Sequence, residues 1–425
     1  MIKYLEGNCI DKMKELEDNS IDCVVSSPPY FGLRDYGTAQ WQGGDSNCDH
    51  SINDKGIDSK KNKLIERPAQ HFNWSKCIKC GAKRIDEQFG LEKSYQDYIA
   101  NTVKVFETFK PKLKDTATIW WNVGDSYNSK PAGNKDLKKS SGLPNKKENL
   151  HKRKDNISKV LLKSLKEKDL LMIPNRVAIA LQEAGWYIRS EIIWHKPNPM
   201  PESVRDRLTS SHEKIWLITK NKKYYYDADA IKEPLAQGTR LRYHNQKDNL
   251  KNQKGSFVAH AGAKSNGPMK AVNLGSKRNK RNVWTITTKP FKGAHFATFP
   301  KDLIEPCIKA GCPEKVCIEC GKPQVKEFYR DKSTLPVKRN KRDGDSDRAV
   351  GGVYQKWMEE NPEQITIKPS CDCNKGFKHG IVLDPFAGAG TTGLVAKENN
   401  RDAILIELNK EYLAMAKKRI ETVLV

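Results

Sequence analysis

The sequence contains no apolar run near the roughly 18 residues that a membrane-spanning helix requires. Its first residues also lack the apolar core of a secretory signal peptide. These absences predict a cytoplasmic protein with no membrane partner. Because that compartment is reducing, we expect the 11 cysteines to be free thiols or metal ligands rather than disulfides.

Acidic residues are scarce relative to basic ones. The 425 residues include 76 Lys and Arg but 52 Asp and Glu, which gives a formal net charge of +24 at pH 7. Residues 130–168 are dense in Lys and Arg, and residues 234–289 carry a single acid, Asp248. This excess of positive charge predicts a polyanionic partner, with nucleic acid ahead of a membrane surface.

The carboxyl-terminal part of the chain lacks two common phosphate-binding signatures. An apolar strand at residues 381–384 leads into a turn with Gly388 and Gly390, but the G-x-G-x-x-G spacing and the Walker lysine are absent. A helix over residues 391–398 and a second strand ending at Glu407 follow. An acidic residue about 20 positions after such a turn commonly binds ribose hydroxyls. Asp384 is an anion suited to a cationic ligand, which favours S-adenosylmethionine over a pyrophosphate cofactor.

A second turn stands near the start of the chain. Ser27-Pro28-Pro29-Tyr30 follows an apolar run, residues 21–25, that is typical of a buried parallel strand. The two prolines end the strand, and ligands bind outside the carboxyl ends of strands in open α/β sheets. Ser27 and the Pro28 carbonyl can accept hydrogen bonds from an exocyclic amine, while Tyr30 stacks on the ring that bears it.

Together, Ser27-Pro28-Pro29-Tyr30 and Asp384-Pro385-Phe386-Ala387-Gly388-Ala389-Gly390 resemble the motifs of the amino-group DNA methyltransferases, which methylate N4 of cytosine or N6 of adenine. The catalytic motif precedes the cofactor motif, as in the permuted β class. Segments 31–37, 121–126 and 294–300 resemble a phage and bacterial branch of that family. The resemblance implies an α/β, Rossmann-like S-adenosylmethionine-dependent methyltransferase fold, circularly permuted, with a mixed seven-stranded sheet and with basic and zinc-binding insertions.

The residues above and the resemblance together define the expected site. The catalytic residues are Ser27, Pro28, Pro29 and Tyr30. The expected cofactor-binding residues are Asn8, Asp125, Phe296, Thr298, Pro300, Asp384, Phe386, Gly388, Gly390, Thr391, Thr392 and Glu407. The expected DNA contacts are Arg34, His195, Lys196, Arg240, Arg242, Lys277, Arg278, Lys280 and Arg281. The pair His212-Glu213 resembles a motif near the target-base pocket, although such a pair is more often structural.

Two groups of cysteines have the spacing of structural zinc ligands, which predicts one or two Zn²⁺ ions. The first proposed site comprises Cys48, His50, Cys77 and Cys80. The second comprises Cys317, Cys320, Cys371 and Cys373. His71 is a rival ligand for the first site, and Cys312 is an outside candidate for the second. The polar segment within the first group could not bury a core unaided, so bound metal would supply folding free energy.

Composition and motifs divide the chain into five stretches. Residues 1–36 are expected to be the catalytic part of the core, 37–92 a zinc-binding insertion, 93–233 further core with a basic loop at 130–168, 234–289 a target-recognition region, and 290–425 the cofactor-binding part of the core with a second zinc-ribbon insertion at 312–375.

These features predict methyl transfer from S-adenosylmethionine to the exocyclic amine of a base that has flipped out of double-stranded DNA. Serine at the first motif position favours N4 of cytosine, and N6 of adenine is the alternative. The rival functions are an RNA methyltransferase and a zinc-dependent DNA-binding protein with a vestigial core. Intact Asp384, Gly388, Gly390 and Glu407 argue against the last. Because no nuclease motif is evident, a separate cognate restriction endonuclease would supply any cleavage.

Overall fold

The computed structural model describes residues 1–33, 36, 38–48, 53–58, 63–68, 76–77, 79–128, 162, 164–234, 277–289, 299–331, 333–334, 357 and 360–422. The chain forms two compact units, a larger one made of Met1–Cys312 with Ile381–Val425 and a smaller one made of Pro313–Gly380. Within the described ranges, no helix has the length and hydropathy that crossing a bilayer requires.

The larger unit is built on one mixed sheet. Its strands are β1 Ile2–Glu6, β2 Ile21–Ser26, β3 Leu113–Val123, β4 Tyr187–His195, β5 His212–Thr219, β6 Val283–Thr285, β7 Ile381–Asp384 and β8 Asp402–Glu407. They lie in the order β1-β8-β7-β2-β3-β5-β4-β6. The pairs among β1, β8, β7, β2 and β3 are parallel, β5 is antiparallel to both neighbours, and β6 is parallel to β4.

The two ends of the chain lie side by side in this sheet. Strand β1 pairs in parallel with β8, from Ile2 opposite Ala403 to Glu6 opposite Glu407. Strand β2 is flanked in parallel by β7 and β3. All six residues of β2 are buried, as expected for an apolar run covered on both faces. The permuted α/β arrangement that the sequence predicted is therefore confirmed.

The sheet has one strand more than the seven expected. The additional strand, β6, pairs with the end of β4 so that Trp284 lies opposite Trp194. The Trp194 indole also donates to the carbonyl of Ile286, at 2.8 Å. Only the middle residue of this three-residue strand is buried, so it has too little periodicity to be recognised in a sequence.

Helices cover both faces of the sheet. Their bounds are α1 Cys9–Lys14, α2 Tyr95–Phe109, α3 Ile173–Glu183, α4 Lys301–Gly311, α5 Thr391–Glu398 and α6 Lys410–Glu421. Apolar residues of α1, α2 and α3 share one core with Val24, whereas residues of α4, α5 and α6 share the other with Cys23 and Val25. Successive residues of β2 thus point into opposite cores, as the pleat of a strand requires.

Helix α2 begins after Ser94 and carries large aromatic side chains on the face that packs on the sheet. Ser94 caps it, because its hydroxyl accepts a hydrogen bond from the Asp97 N–H at 3.1 Å. The side chains of Tyr98, Phe106 and Phe109 are fully buried in the core of that face. These aromatic side chains therefore belong to the core of that face.

Short two-stranded sheets lie outside the large one. Those of the larger unit pair Gln40–Gln42 with Lys83–Ile85, Asn53–Asp58 with Lys63–Pro68, and Glu233–Pro234 with Lys277–Arg278. Those of the smaller unit pair Lys315–Cys317 with Phe377–His379, and Gln324–Tyr329 with Gln364–Pro369.

Candidate active site

Two turns meet at the carboxyl edge of the sheet, one after β2 and one after β7. Because these strands are parallel neighbours, both turns leave the sheet at the same edge. The Ser26 hydroxyl, at the end of β2, donates to the Asp384 carboxylate, at the end of β7, at 2.6 Å. Residues that lie 358 positions apart in the chain are thus joined by one buried hydrogen bond.

Asp384 lies beneath the glycine turn and is fully buried. One carboxylate oxygen accepts from Ser26 and from the Phe386 N–H at 3.1 Å, and the other accepts from the Thr392 hydroxyl at 2.6 Å. Burial raises the pKa of Asp384 to about 6, although the hydrogen bonds oppose that rise. The side chain therefore ties β2, β7 and the start of α5 together.

Glu407 faces the same turn from the end of β8. Its carboxylate accepts from the Gly388 N–H at 2.8 Å and from the Asn409 N–H at 2.9 Å, and burial raises its pKa. An ionised carboxylate has about four acceptor sites, so these two bonds fix its orientation and leave acceptor capacity. Gly390, at φ +72°, lies immediately before α5, and a Cβ there would lie 2.7 Å from the Cβ of Ala416.

The other expected cofactor residues of this half of the sheet have the following surroundings. The ring of Phe386 packs against those of Phe89 and Trp121, with centroids 5.2 and 6.0 Å away. The Thr391 hydroxyl accepts from Arg419 at 2.9 Å. Pro300 is buried at the start of α4. Phe296 and Thr298 lie outside the described residues.

Asn8 and Asp125 have structural partners in this structure. The Asn8 side chain caps α1 by accepting from the Ile10 N–H at 2.9 Å, and its amide donates to Glu87 at 3.2 Å. One Asp125 oxygen accepts from the N–H groups of Ser126 and Ile173, at 2.9 and 3.1 Å. Asp125 thereby joins the loop after β3 to the first turn of α3, and burial raises its pKa.

The Ser27-Pro28-Pro29-Tyr30 turn is held from outside by residues that precede and form α2. The Tyr98 hydroxyl donates to the Pro29 carbonyl at 3.2 Å. Gly90, at φ +92°, lies so close that a Cβ there would be 3.0 Å from the Tyr30 carbonyl oxygen. The turn therefore has little room to shift without displacing the backbone around it.

Tyr30 is fixed at both ends of its ring. A Cβ added to Gly124 would lie 2.5 Å from the ring, so only glycine leaves space for it there. The hydroxyl accepts from Ser27 at 3.2 Å and lies 2.6 Å from a Glu213 carboxylate oxygen and 3.1 Å from the Asn122 amide oxygen. Burial, together with the Glu213 charge, raises the pKa of Tyr30 well above its usual range.

Sequence reasoning did not include Glu213 or Asn122 among the site residues. Strand β5 is antiparallel to β3, so its first residues lie at the same edge as the end of β3. Glu213 precedes an apolar strand, and Asn122 lies in a motif shared with the resembling family. Those signals indicated that both residues lie near the site. Their contact with Tyr30 depends on the pairing of β2 with β3 and of β3 with β5, which are distant in sequence.

The expected DNA contacts have varied surroundings. Lys196 forms an ion pair with Glu213 and lies 4.4 Å from the Trp194 ring centroid. The His195 imidazole is 3.2 Å from the Thr285 hydroxyl. Arg278 and Arg281 both bind one oxygen of Glu233, Lys280 lies over Trp284, and Lys277 is exposed. Arg34, Arg240 and Arg242 lie outside the described residues.

Two groups of cysteine sulfurs come together, each inside one unit. In the larger unit they belong to Cys48, Cys77 and Cys80, and in the smaller unit to Cys317, Cys320, Cys371 and Cys373. Within each group all sulfurs lie within 4.8 Å of one another. The imidazoles proposed for the first site, His50 and His71, lie outside the described residues. Cys312 is buried at the end of α4, and burial raises its pKa.

The group in the smaller unit has the four thiols of a tetrahedral zinc site, and the group in the larger unit has three. A Zn–S bond of about 2.3 Å places neighbouring sulfurs about 3.8 Å apart. The sulfurs of Cys48 and Cys77 are 3.9 Å apart. This one separation is close to that of two sulfurs bound to the same Zn²⁺.

Comparison with known proteins places this arrangement in a family context. Residues 21–318 and 367–418 match a family model of the N6/N4 type that is described as DNA methylase. The Type II methyltransferase M.Cfr9I of Citrobacter freundii is 32% identical over 416 residues, which cover 98% of this chain and 86% of the relative. The Type II methyltransferase M.SmaI of Serratia marcescens is 31% identical over 425 residues, which cover 98% and 90%.

Solved structures resemble the chain more distantly. The structure of the PvuII DNA methyltransferase, described as cytosine-N4-specific, has 13% sequence identity and a TM-score of 0.46, and the match covers 98% of this chain and 85% of that one.

We expect Asp384 to make the stability of the protein depend on pH. Its pKa is about 6 in the folded chain and 3.8 in a model compound, so between these values the folded state binds the proton more tightly. Proton binding to Asp384 therefore stabilises the folded state fully below pH 3.8. This stabilisation is lost as the pH rises through about 6. Asp384→Asn should remove this part of the pH dependence, worth less than about 3 kcal/mol, in urea unfolding followed from about pH 4 to pH 8.

Asp11→Asn in α1 provides the control, because it removes a carboxylate that is exposed to solvent. Wild type and the Asp11→Asn variant should share one profile. If the Asp384→Asn profile were also the same, the assignment of the raised pKa to Asp384 would be refuted.

Proposed function

This chain belongs to the DNA methylase family, and we propose that it transfers a methyl group from S-adenosylmethionine to the exocyclic amine of a base flipped out of double-stranded DNA. The observation that carries this proposal is the buried hydrogen bond from Ser26 to Asp384. It supports a single cleft in which the Ser27-Pro28-Pro29-Tyr30 turn receives the base and the glycine turn receives the cofactor.

The turn between β7 and α5 fits a nucleoside that carries a sulfonium rather than a phosphate. Glu407 is held by two backbone N–H groups and retains acceptor capacity for the ribose hydroxyls. Phe386 offers an aromatic surface beside them. No lysine of the Walker type follows the glycines, so the turn lacks the usual partner of a triphosphate. S-adenosylmethionine would supply an electrophilic methyl group on its sulfonium.

The Ser27 turn supplies the groups that an exocyclic amine requires. The lone pair of such an amine is delocalised into the base, which makes the nitrogen a poor nucleophile. The Ser27 hydroxyl and the Pro28 carbonyl would accept hydrogen bonds from the amine, orient its hydrogens and localise the lone pair for in-line attack. No covalent enzyme intermediate is needed, so orientation and electrostatics provide most of the rate enhancement.

Cytosine N4 is the favoured target because serine stands at the first position of the catalytic turn. Adenine N6 is the alternative, since the same acceptor groups would hold its amine. A single assay distinguishes them: the protein is incubated with isotope-labelled S-adenosylmethionine and unmethylated DNA, and the digested nucleosides are identified by mass spectrometry. Labelled N4-methylcytosine supports the favoured target, and labelled N6-methyladenine supports the alternative.

Positive charge supports binding to the phosphates of double-stranded DNA. The net charge of +24 predicts an affinity that falls steeply with salt. Lys277 and Lys280 are available for phosphate contacts, whereas Arg278 and Arg281 share Glu233 and would have to exchange that partner. Residues 234–289 are proposed to recognise a specific site. Relatives named Type II methyltransferases support a pairing with a cognate restriction endonuclease, which stays a proposal.

We also propose that both cysteine groups bind structural Zn²⁺. Four thiols in the smaller unit form a complete tetrahedral ligand set, and three thiols in the larger unit require one further ligand, for which His50 is the candidate. Both groups lie beside short two-stranded sheets whose described strand residues are mostly exposed or half-buried, so metal binding would contribute directly to their folding.

Separate substitutions should affect the two halves of the cleft in different ways. Ser27→Ala should lower the turnover number by at least about tenfold and leave the dissociation constant for S-adenosylmethionine unchanged, because it removes only an acceptor for the amine. Glu407→Ala should weaken cofactor binding, measured by calorimetry, because it removes the acceptor for the ribose. If Ser27→Ala turned over normally, Ser27 would have no part in the reaction.

Metal content should follow the cysteine groups individually. Cys77→Ser should remove the zinc of the larger unit and Cys320→Ser that of the smaller unit, as measured by mass spectrometry of the metal in purified protein. Cys307→Ser is the matched control, since this buried cysteine lies in α4 outside both groups. Folded wild-type protein that contained no zinc would rule out both sites.

A further inference from the structure

A chain of hydrogen bonds leads away from the catalytic turn toward a half-buried ion pair. Ser27 contacts the Tyr30 hydroxyl at 3.2 Å, and that hydroxyl lies 2.6 Å from Glu213. The other oxygen of Glu213 forms an ion pair with Lys196. The chain therefore joins the loop after β2, the start of β5 and the end of β4.

The direction of each hydrogen bond follows from the chemistry of the groups. A carboxylate only accepts, so Tyr30 must donate its proton toward Glu213. Asn122 also presents its amide oxygen to Tyr30, because its amide nitrogen donates to the Lys214 carbonyl at 3.1 Å. The tyrosine oxygen can then only accept from Ser27, so the serine proton points away from the base.

This polarity leaves the Ser27 oxygen with its lone pairs free to accept. A serine hydroxyl has one proton and two lone pairs, and without a fixed partner it can rotate to donate or to accept. An exocyclic amine requires an acceptor. Tyr30 and Glu213 thus select the one orientation of Ser27 that suits such an amine.

On the premise of the proposed methyl transfer, we propose that Glu213 is a positioning residue that fixes Ser27 through Tyr30 and finally receives the proton lost by the amine. In the transfer, the nitrogen lone pair forms the new N–C bond, and the S–C bond breaks with its electron pair left on sulfur. The cationic nitrogen gives a proton to Ser27, Ser27 gives its own to Tyr30, and Tyr30 gives its own to Glu213. The products are a neutral methylated base and a protonated Glu213.

The groups around this chain of hydrogen bonds suit the proposed role of Glu213. The raised pKa of Tyr30 keeps its hydroxyl protonated, so it passes a proton on rather than ionising. Lys196 faces Glu213 from the end of β4 and balances its charge. The next residue, Lys214, instead pairs with Glu191 at 2.5 Å and with Asn175 at 3.0 Å. Lys196 is therefore the described cation that forms an ion pair with Glu213.

Two substitutions that each remove one group from the chain of hydrogen bonds test the inference. Tyr30→Phe keeps the ring and every charge but removes the shared hydroxyl, and Glu213→Gln removes the terminal acceptor. Each should lower the turnover number by about tenfold to a hundredfold, with unchanged KM for DNA and unchanged affinity for S-adenosylmethionine. Because the links act in series, the double variant should be no slower than the slower single variant.

Glu191→Gln is the matched control, since it removes a carboxylate from the same hairpin that pairs with a different lysine. It should turn over as the wild type does. Multiplied losses in the double variant, or a change confined to KM, would overturn the inference. If Glu213→Gln did not fold, Tyr30→Phe would decide alone, and normal turnover in that variant would overturn it.

The two proposals fail in different ways. Wild-type protein that labels no nucleoside in DNA would refute methyl transfer itself. Wild-type protein that is active beside an equally active Tyr30→Phe variant would refute only the role of Glu213.

Discussion

The parallel pairing of β2 with β7 is the constraint on which the site depends. It brings together two turns that are separated by most of the chain, and the buried bond between Ser26 and Asp384 closes the contact. Because Asp384 also accepts hydrogen bonds from Thr392 and the Phe386 N–H, the same carboxylate holds the start of the glycine turn and the first turn of α5. The turn after β2 and the turn after β7 are therefore fixed relative to each other by one side chain.

Much of this arrangement could be predicted from sequence because its signals are local. Apolar runs marked β2, β7 and β8, and prolines or glycines marked the turns that follow them. Asp384 shows the limit of such signals, since the sequence suggested an anion suited to a cationic ligand but gave no sign that its carboxylate is buried and bonded to Ser26 and Thr392. The contact of Tyr30 with Glu213 spans 183 positions, and no local pattern reports such a distance. The eighth strand, β6, was not predicted because three residues are too few to show an alternation of apolar and polar side chains.

The charges of the protein divide into those that hold the site and those that are available to a partner. Lys196 is committed to Glu213, and Arg278 and Arg281 are committed to Glu233, although composition alone would assign all three to DNA. A basic net charge thus indicates the class of partner, but it does not reveal which cations already have carboxylate partners in the folded chain. Burial and neighbouring carboxylates decide which cations organise the fold, and these are properties of the folded chain.

The most direct measurement is a crystal structure of the protein with S-adenosylhomocysteine and a DNA duplex that contains its target site. We expect the ribose hydroxyls to bind the Glu407 carboxylate. We expect the amine of the extruded base to lie between Ser27 and the cofactor sulfur. A cofactor bound away from Glu407, or a target base that remained stacked in the duplex with the Ser27 turn unoccupied, would contradict these expectations.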